Sequence, residues 1–272
     1  MACLCRKAIM TSDLRILFLG TGTSTGVPLI GCKCPVCQSK HPHNKRLRSS
    51  IIVEAGGTRV LVDSSPDLRQ QALREGLSSI DAVIYTHCHL DHVAGFDDMR
   101  AFCWHKEEPL PLYASPETMN VLKQMYPWAF SPDNVYRGYV RPEARIIEGG
   151  FRIGALEVSP VPVIHAQVET FGYVFTYQGQ RIGYASDVKS IPDSSMELFR
   201  HLDVLILDSL RINEHPTHLS LDETLSLFRQ LKPKACFLTH MSHDMDAMTL
   251  SELLPEGVFM AYDGLTVCPT KI

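Results

Sequence analysis

Apolar residues come along this chain in short, closely spaced runs that read as strands rather than as long helices. The runs at 14–19, 50–55, 58–63 and 81–86 are the first of these, the middle pair joined across Gly56-Gly57, a two-residue hairpin signal. Between 66 and 76 the spacing turns helical, with Ser65 placed as N-cap, Pro66 at the first helical position, apolar residues at 68, 72 and 73, and Gly76 as the stop. The second half repeats the habit. Strands are expected near 145–148, 155–164, 171–177 and 180–185, the last two joined at Gln178-Gly179, then at 203–208, 234–239, 257–262 and 265–268. Helices are expected at 194–201, 220–231 and 246–254, the second opening with a Ser220-Leu221-Asp222-Glu223 capping box. Two sheet-rich halves decorated by helices suggest an α/β arrangement of sheets packed face to face with helices outside. Periodicity alone does not separate this from a Rossmann-like parallel sheet.

A length of 272 residues suits one large domain as well as two, and we expect one, with residues 1–12 as a loose terminus. With 45% hydrophobic and 21% charged residues, the composition excludes wholesale disorder, collagen and coiled coil. No run approaches the roughly 18 apolar residues of a membrane span, and Met1–Lys7 lacks the apolar region of a secretory signal, so a cytoplasmic protein without a membrane partner is expected. The formal charge of -4 comes without a basic tail or stripe, which argues against general nucleic-acid binding and for a small substrate.

Chemistry concentrates where the apolar strand Ala82–Thr86 runs into His87-Cys88-His89-Leu90-Asp91-His92. In extended chain, residues two apart share a face, so His87 and His89 can address one ion; a turn into a helix following Gly95 would bring Asp91 and His92 to a second. Imidazole and carboxylate suit Zn²⁺ or Mn²⁺. A loop of solvated histidines would need three coincidences to produce this pattern. His165, Asp187 and His240 each stand just past another apolar strand, where a rigid sheet can hold a ligand.

The His-x-His-x-Asp-His run resembles the signature of the metallo-β-lactamase superfamily. Phe18–Pro28, Gly31-Cys-Lys-Cys-Pro-Val-Cys37, Arg46–Ser50, His215-Pro-Thr-His-Leu-Ser-Leu-Asp222 and Thr239-His-Met-Ser-His243 resemble the PhnP-type phosphodiesterases within it, over roughly residues 14–268. The resemblance implies a four-layer αββα sandwich with two divalent cations at one edge of the sheets. By that resemblance one ion is held by His87, His89 and His165, the other by Asp91, His92 and His240, with Asp187 bridging. His218 is implied as a catalytic residue, and Asp91 as a ligand that also accepts a proton. Ala166 departs from the pattern, which has Gly after the third-motif histidine. The implied reaction is attack of a metal-bridging hydroxide on a small cyclic phosphodiester, foremost 5-phospho-α-D-ribosyl 1,2-cyclic phosphate of phosphonate catabolism. The implied assembly is a homodimer.

Cys32, Cys34 and Cys37 crowd three thiols into six residues of a 31–45 insertion, which reads as a structural zinc site wanting a fourth ligand. The family resemblance points to His243. Of the other cysteines, those away from the termini read as small core hydrophobes. Gly20-Thr-Gly-Thr-Ser-Thr-Gly26 lacks the spacing of a P-loop or a dinucleotide turn and reads as a tight structural turn near the cleft. Arg46 and Arg48 read as a solvated basic run ahead of a phosphate contact. The competing activities use the same ligands on carbon, in a thiolesterase, lactonase or β-lactamase, or on a polynucleotide, in an RNase Z-like nuclease.

Overall fold

Fourteen strands form among the described residues. They are β1 (Arg15–Gly20), β2 (Ser50–Ala55), β3 (Thr58–Val62), β4 (Ala82–Ile84), β5 (Leu110–Ala114), β6 (Pro142–Ile146) and β7 (Phe151–Ile153), then β8 (Leu156–His165), β9 (Val168–Tyr177), β10 (Gln180–Ala185), β11 (Val204–Asp208), β12 (Ala235–Thr239), β13 (Val258–Met260) and β14 (Thr266–Val267). The structure is a computed structural model and describes residues 13–271 except 105 and 137, so the expected loose terminus at 1–12 lies outside the described residues. Two seven-stranded sheets form, ordered β14-β1-β2-β3-β4-β5-β6 and β13-β12-β11-β10-β9-β8-β7. In each sheet antiparallel hairpins give way to parallel strands, from β3 to β6 in the first and from β10 to β13 in the second.

Alternation along the strands explains the layering. Ile51 and Val53 of β2 face a core shared with Tyr173, Phe175, Ile206 and Phe237 of the other sheet, while Ile52 between them faces the helices outside. In β11 Val204 and Ile206 point into the shared core and Leu205 and Leu207 into the opposite helix layer, so the strand is apolar up to its last residue, Asp208. One inner and two outer apolar clusters make the αββα sandwich, and the Rossmann-like alternative is excluded.

The hairpin turns form as the glycines predict: Gly56 and Gly57 have φ of 56° and 83°, Gln178 and Gly179 have 48° and 79°. Three departures have physical causes. The first-half helix runs Leu68–Glu75 and Asp67 precedes it, because Ser65 Oγ accepts from Asp67 N–H and donates to Gln71, capping a turn rather than the helix. Gly76 ends it with φ of 65°, as expected. The stretch 104–141, without an assigned element in the sequence reading, holds β5 and the helix Pro116–Met125; Pro111 inside β5 masks the strand signal. Finally, a helical turn that the sequence reading lacked, Leu90–Val93, presents Asp91 and His92, and the helix expected after Gly95 follows it as Phe96–Met99 and Arg100–Cys103. Gly95 packs so tightly on Ser65 that a Cβ there would lie 1.9 Å from its carbonyl oxygen.

Candidate metal centre

Every candidate ligand lies where a strand ends at one edge of the sandwich. β4, β10, β11 and β12 are parallel members of their sheets, and parallel strands deliver their C-terminal ends to the same edge. His87 follows β4, His165 closes β8, Asp187 follows β10, Asp208 closes β11 and His240 follows β12. His89 stands at the N-cap of Leu90–Val93, whose first turn presents Asp91 and His92.

The seven residues expected from the sequence gather in two groups whose donor atoms lie within 4.8 Å of one another: His87, His89 and His165, and Asp91, His92, Asp187 and His240. His165 Nε2 is 3.3 Å from His89 Nδ1; His92 Nε2 is 3.3 Å from an Asp91 oxygen and 3.2 Å from an Asp187 oxygen; His240 Nε2 is 3.2 Å from the other Asp187 oxygen. That second Asp187 oxygen lies 3.9 Å from His165 Nε2, so Asp187 stands between the groups. Donors about 2.0–2.2 Å from one tetrahedral ion lie roughly 3.3–3.6 Å apart, the spacing found here. The Nε2 atoms of His87, His92 and His240 are buried without a hydrogen-bond partner. Orphaned buried nitrogens in both groups, set beside carboxylate oxygens, fit divalent cations.

The outward nitrogens are held. His92 Nδ1–H donates to Asp63 at 2.7 Å; His87 Nδ1–H donates to Thr86 Oγ1 at 2.9 Å, and that hydroxyl donates on to Asp63 at 2.9 Å. His165 Nδ1–H donates to the Thr217 carbonyl at 2.8 Å. One buried carboxylate, Asp63, therefore aims a ligand in each group. Sequence reading missed Asp63, Thr86 and Asp208, although the two acids end apolar strands just as the assigned ligands do.

Electrostatics follow from burial set against mutual attraction. Burial raises Asp187, yet the imidazoles of His240 and His92 hold it well below the usual carboxylate range. Burial likewise raises Asp91, and His92 with His240 more than reverses it. Burial lowers His240, and Asp187 and Asp91 bring it up to about 8; His165, where burial dominates, falls to about 4. His218 lies beside this cluster, its ring 4.6 Å from that of His165 and 4.8 Å from that of His240, and its Nδ1 is 2.7 Å from an Asp208 oxygen. Burial and the His240 charge push His218 down to about 4.

A second cluster lies apart from the cleft. Cys32, Cys34 and Cys37 bring their Sγ atoms to 3.2, 3.4 and 3.6 Å from His243 Nδ1, a closed set of four donors. The Cys37 backbone N–H bonded to Cys34 Sγ lowers that thiol to about 6, while burial raises Cys37 to about 11. The 239–245 loop thus carries one candidate ligand of each cluster. Arg46 braces it: its guanidinium is buried and donates to the carbonyls of Ser242 and Met245. The expectation of a solvated run at Arg46 and Arg48 is corrected, since Arg48 pairs with Asp67 at 3.0 Å. Gly22 bridges to Arg48 and Met241, and a Cβ on it would lie 2.9 Å from Arg46, which gives the glycine-rich turn its structural role.

Residues 58–241 match the family described as the beta-lactamase superfamily domain. Over 94% of its length the chain superposes on a diphosphatase from the PhnP family with a TM-score of 0.87, 41% sequence identity and 96% of that chain covered. The chain belongs to the metallo-β-lactamase superfamily and, within it, to the PhnP family. This PhnP-family chain is also 36% identical over 259 residues, 93% of its length, to an octanoyltransferase of Porphyromonas gingivalis, of which the match spans 51%. It is 28% identical over 229 residues to a coenzyme PQQ synthesis protein B of Methylobacterium nodulans, covering 72% of each chain. Membership of the superfamily and the donor clusters support a metal-binding hydrolase.

Proposed function

We propose that this hydrolase is a phosphodiesterase with two divalent cations, Zn²⁺ or Mn²⁺, in its cleft and one structural Zn²⁺. It acts on small cyclic phosphodiesters, foremost 5-phospho-α-D-ribosyl 1,2-cyclic phosphate. The observation that carries this reading is the paired donor set sharing Asp187 beside a neutral, carboxylate-held His218. His87, His89 and His165 would hold one cation, Asp91, His92 and His240 the other, and Asp187 both; Cys32, Cys34, Cys37 and His243 would hold the zinc. When bound, the paired cations supply an activated water and offset the charge of the phosphoryl oxygens.

The chain's own residues do the rest. Asp208 accepts from Nδ1–H of His218, which leaves the Nε2 lone pair toward the cleft. His218, neutral at pH 7, takes a proton from the attacking water at Nε2 and returns it to the leaving alkoxide. Likeness to the PhnP-family diphosphatase supports phosphorus as the target. The transferase name of the P. gingivalis relative belongs to a protein about twice as long as the matched part, so an octanoyl thioester is the control rather than the favoured substrate. A cytoplasmic setting is part of the proposal; no helix among the described residues is long and apolar enough to cross a membrane.

The test is metal-dependent hydrolysis of bis(p-nitrophenyl) phosphate against a lactone, an octanoyl thioester and nitrocefin, with product assignment on cyclic phosphates by ³¹P NMR. Turnover of the phosphodiesters alone is expected. Turnover confined to the carbon esters would replace the reading with an esterase.

A further inference from the structure

β6 is the last strand of its sheet, and among the described residues no strand pairs with its outer side. The Arg141 carbonyl accepts from Leu110 N–H at 2.8 Å, and Ile147 N–H donates to the Ala114 carbonyl at 3.0 Å. In parallel pairing these two bonds fix the phase: residues 141, 143, 145 and 147 spend their backbone groups on β5, and those between them face away. Pro142 brings no N–H, so the free side is offered by Ala144 and Ile146, both exposed. An open row of donors and acceptors is a template for one more strand.

Against the same edge lies a cavity of about 380 Å³, lined by Pro142 and Ala144 of the strand, by Phe130 and Pro132, and by Lys123 and Arg141; no lining residue is acidic. Lys123, near the end of the helix Pro116–Met125, makes no ion pair or hydrogen bond with the described residues. The Arg141 guanidinium donates to the carbonyls of Lys106 and Glu107 at 2.9 and 2.8 Å and meets no carboxylate. Glu143, the acid of the strand itself, alternates to the opposite face and is held by Arg145 at 2.8 Å. A recess with two cations and no acid, in a chain of net charge -4, suits a carboxylate.

We infer that β6 is a docking edge for a protein partner, which adds an extended segment as one more strand and seats an acidic side chain between Lys123 and Arg141. Main-chain bonds to Ala144 and Ile146 hold any extended segment; the recess selects the acidic one. A second copy of this chain does not meet that requirement through the same strand, because its paired face would carry Pro142, Ala144 and Ile146 and no acid.

The experiment titrates the full chain against a short fluorescein-labelled peptide of alternating valine and threonine with a central glutamate, and against the same peptide with lysine in that place. By fluorescence anisotropy the glutamate peptide should bind about tenfold tighter or more, the size of one hydrogen bond to a charged group. Lys123→Glu should reverse the preference toward the lysine peptide, which a merely structural lysine would not do. Ala144→Pro removes an N–H that β5 does not use, so the variant should melt as the wild type does and bind both peptides about tenfold more weakly or worse. Equal affinity for the two peptides, no binding of either, or a preference unmoved by Lys123→Glu overturns the inference. So does a wild-type dimer in sedimentation that Ala144→Pro converts to monomer, which would give the edge to a second copy of the chain.

Discussion

His218 stands on Asp208 through Nδ1 and offers Nε2 to the cleft, so its removal should reach chemistry without reaching the donor clusters. His218→Ala is expected to lower kcat by about 10²- to 10⁴-fold with metal content unchanged by elemental analysis. Loss of metal in that variant would make His218 a ligand instead. Ala166 illustrates how a single residue records backbone geometry. The resemblance has Gly after the third-motif histidine, and the structure shows why: φ at Ala166 is 46°, in the left-handed region where a Cβ is penalised. Ala166→Gly should therefore stabilise the fold, by up to about 1 kcal/mol in urea unfolding, and an equal loss would mean that Gly's added chain entropy outweighs the relief. The ligands themselves were legible because they follow apolar strands in a dense pattern. Asp63 and Thr86 were not, because a single Asp or Thr at a strand end has many ordinary roles, and only the 2.7 and 2.9 Å contacts to His92 and His87 distinguish these two.

At the scale of elements, loops rather than strands bring the two clusters together. The 239–245 segment carries His240 into the cleft and His243 to the three cysteines, and it is fastened to the 21–23 turn by Met241 N–H to Thr21 and Thr23 N–H to Met241. A zinc among Cys32, Cys34, Cys37 and His243 would brace that segment from outside the site. Cys34→Ala should then lose about one zinc per chain and lower the melting temperature, with kcat falling less than zinc content does. Full zinc stoichiometry in the variant would refute the brace. The strands and hairpin turns were readable from period and glycine placement, whereas β5 and Pro116–Met125 were hidden, since Pro111 interrupts the first. The boundaries of the helix Leu68–Glu75 moved for a similar reason: Ser65 has two partners to choose from, and the tertiary one at Gln71 helps fix the turn.

Across the whole molecule, Asp263 ties together parts of the chain that lie far apart in sequence. Its carboxylate accepts from Thr21 N–H and hydroxyl, from Leu47 N–H and from Arg74. Burial nevertheless pushes it up to about 6, above the ordinary carboxylate range, the hydrogen bonds and Arg74 offsetting only part. A raised folded-state value means that the native protein holds a proton that the unfolded chain gives up. The contribution of Asp263 is thus complete below pH about 4 and is lost as pH rises through about 6. The stability of the wild type relative to Asp263→Asn should accordingly fall between pH 4 and 7, by up to about 3 kcal/mol in paired denaturant titrations; a difference that rises or stays level rejects the assignment. Sequence alone determined most of the strands other than β5 and β7, the hairpin turns and the strand-end positions of the candidate ligands, because period, glycine placement and strand-end chemistry are local properties of the chain. It left open whether the strands formed one sheet or two, which carboxylates and hydroxyls aim the imidazoles, and which way Arg46 and Arg48 face. Those depend on contacts between residues as far apart as Asn44 and Asp246, 202 positions, or Thr21 and Asp263, 242 positions, and no local pattern encodes a partner at that distance.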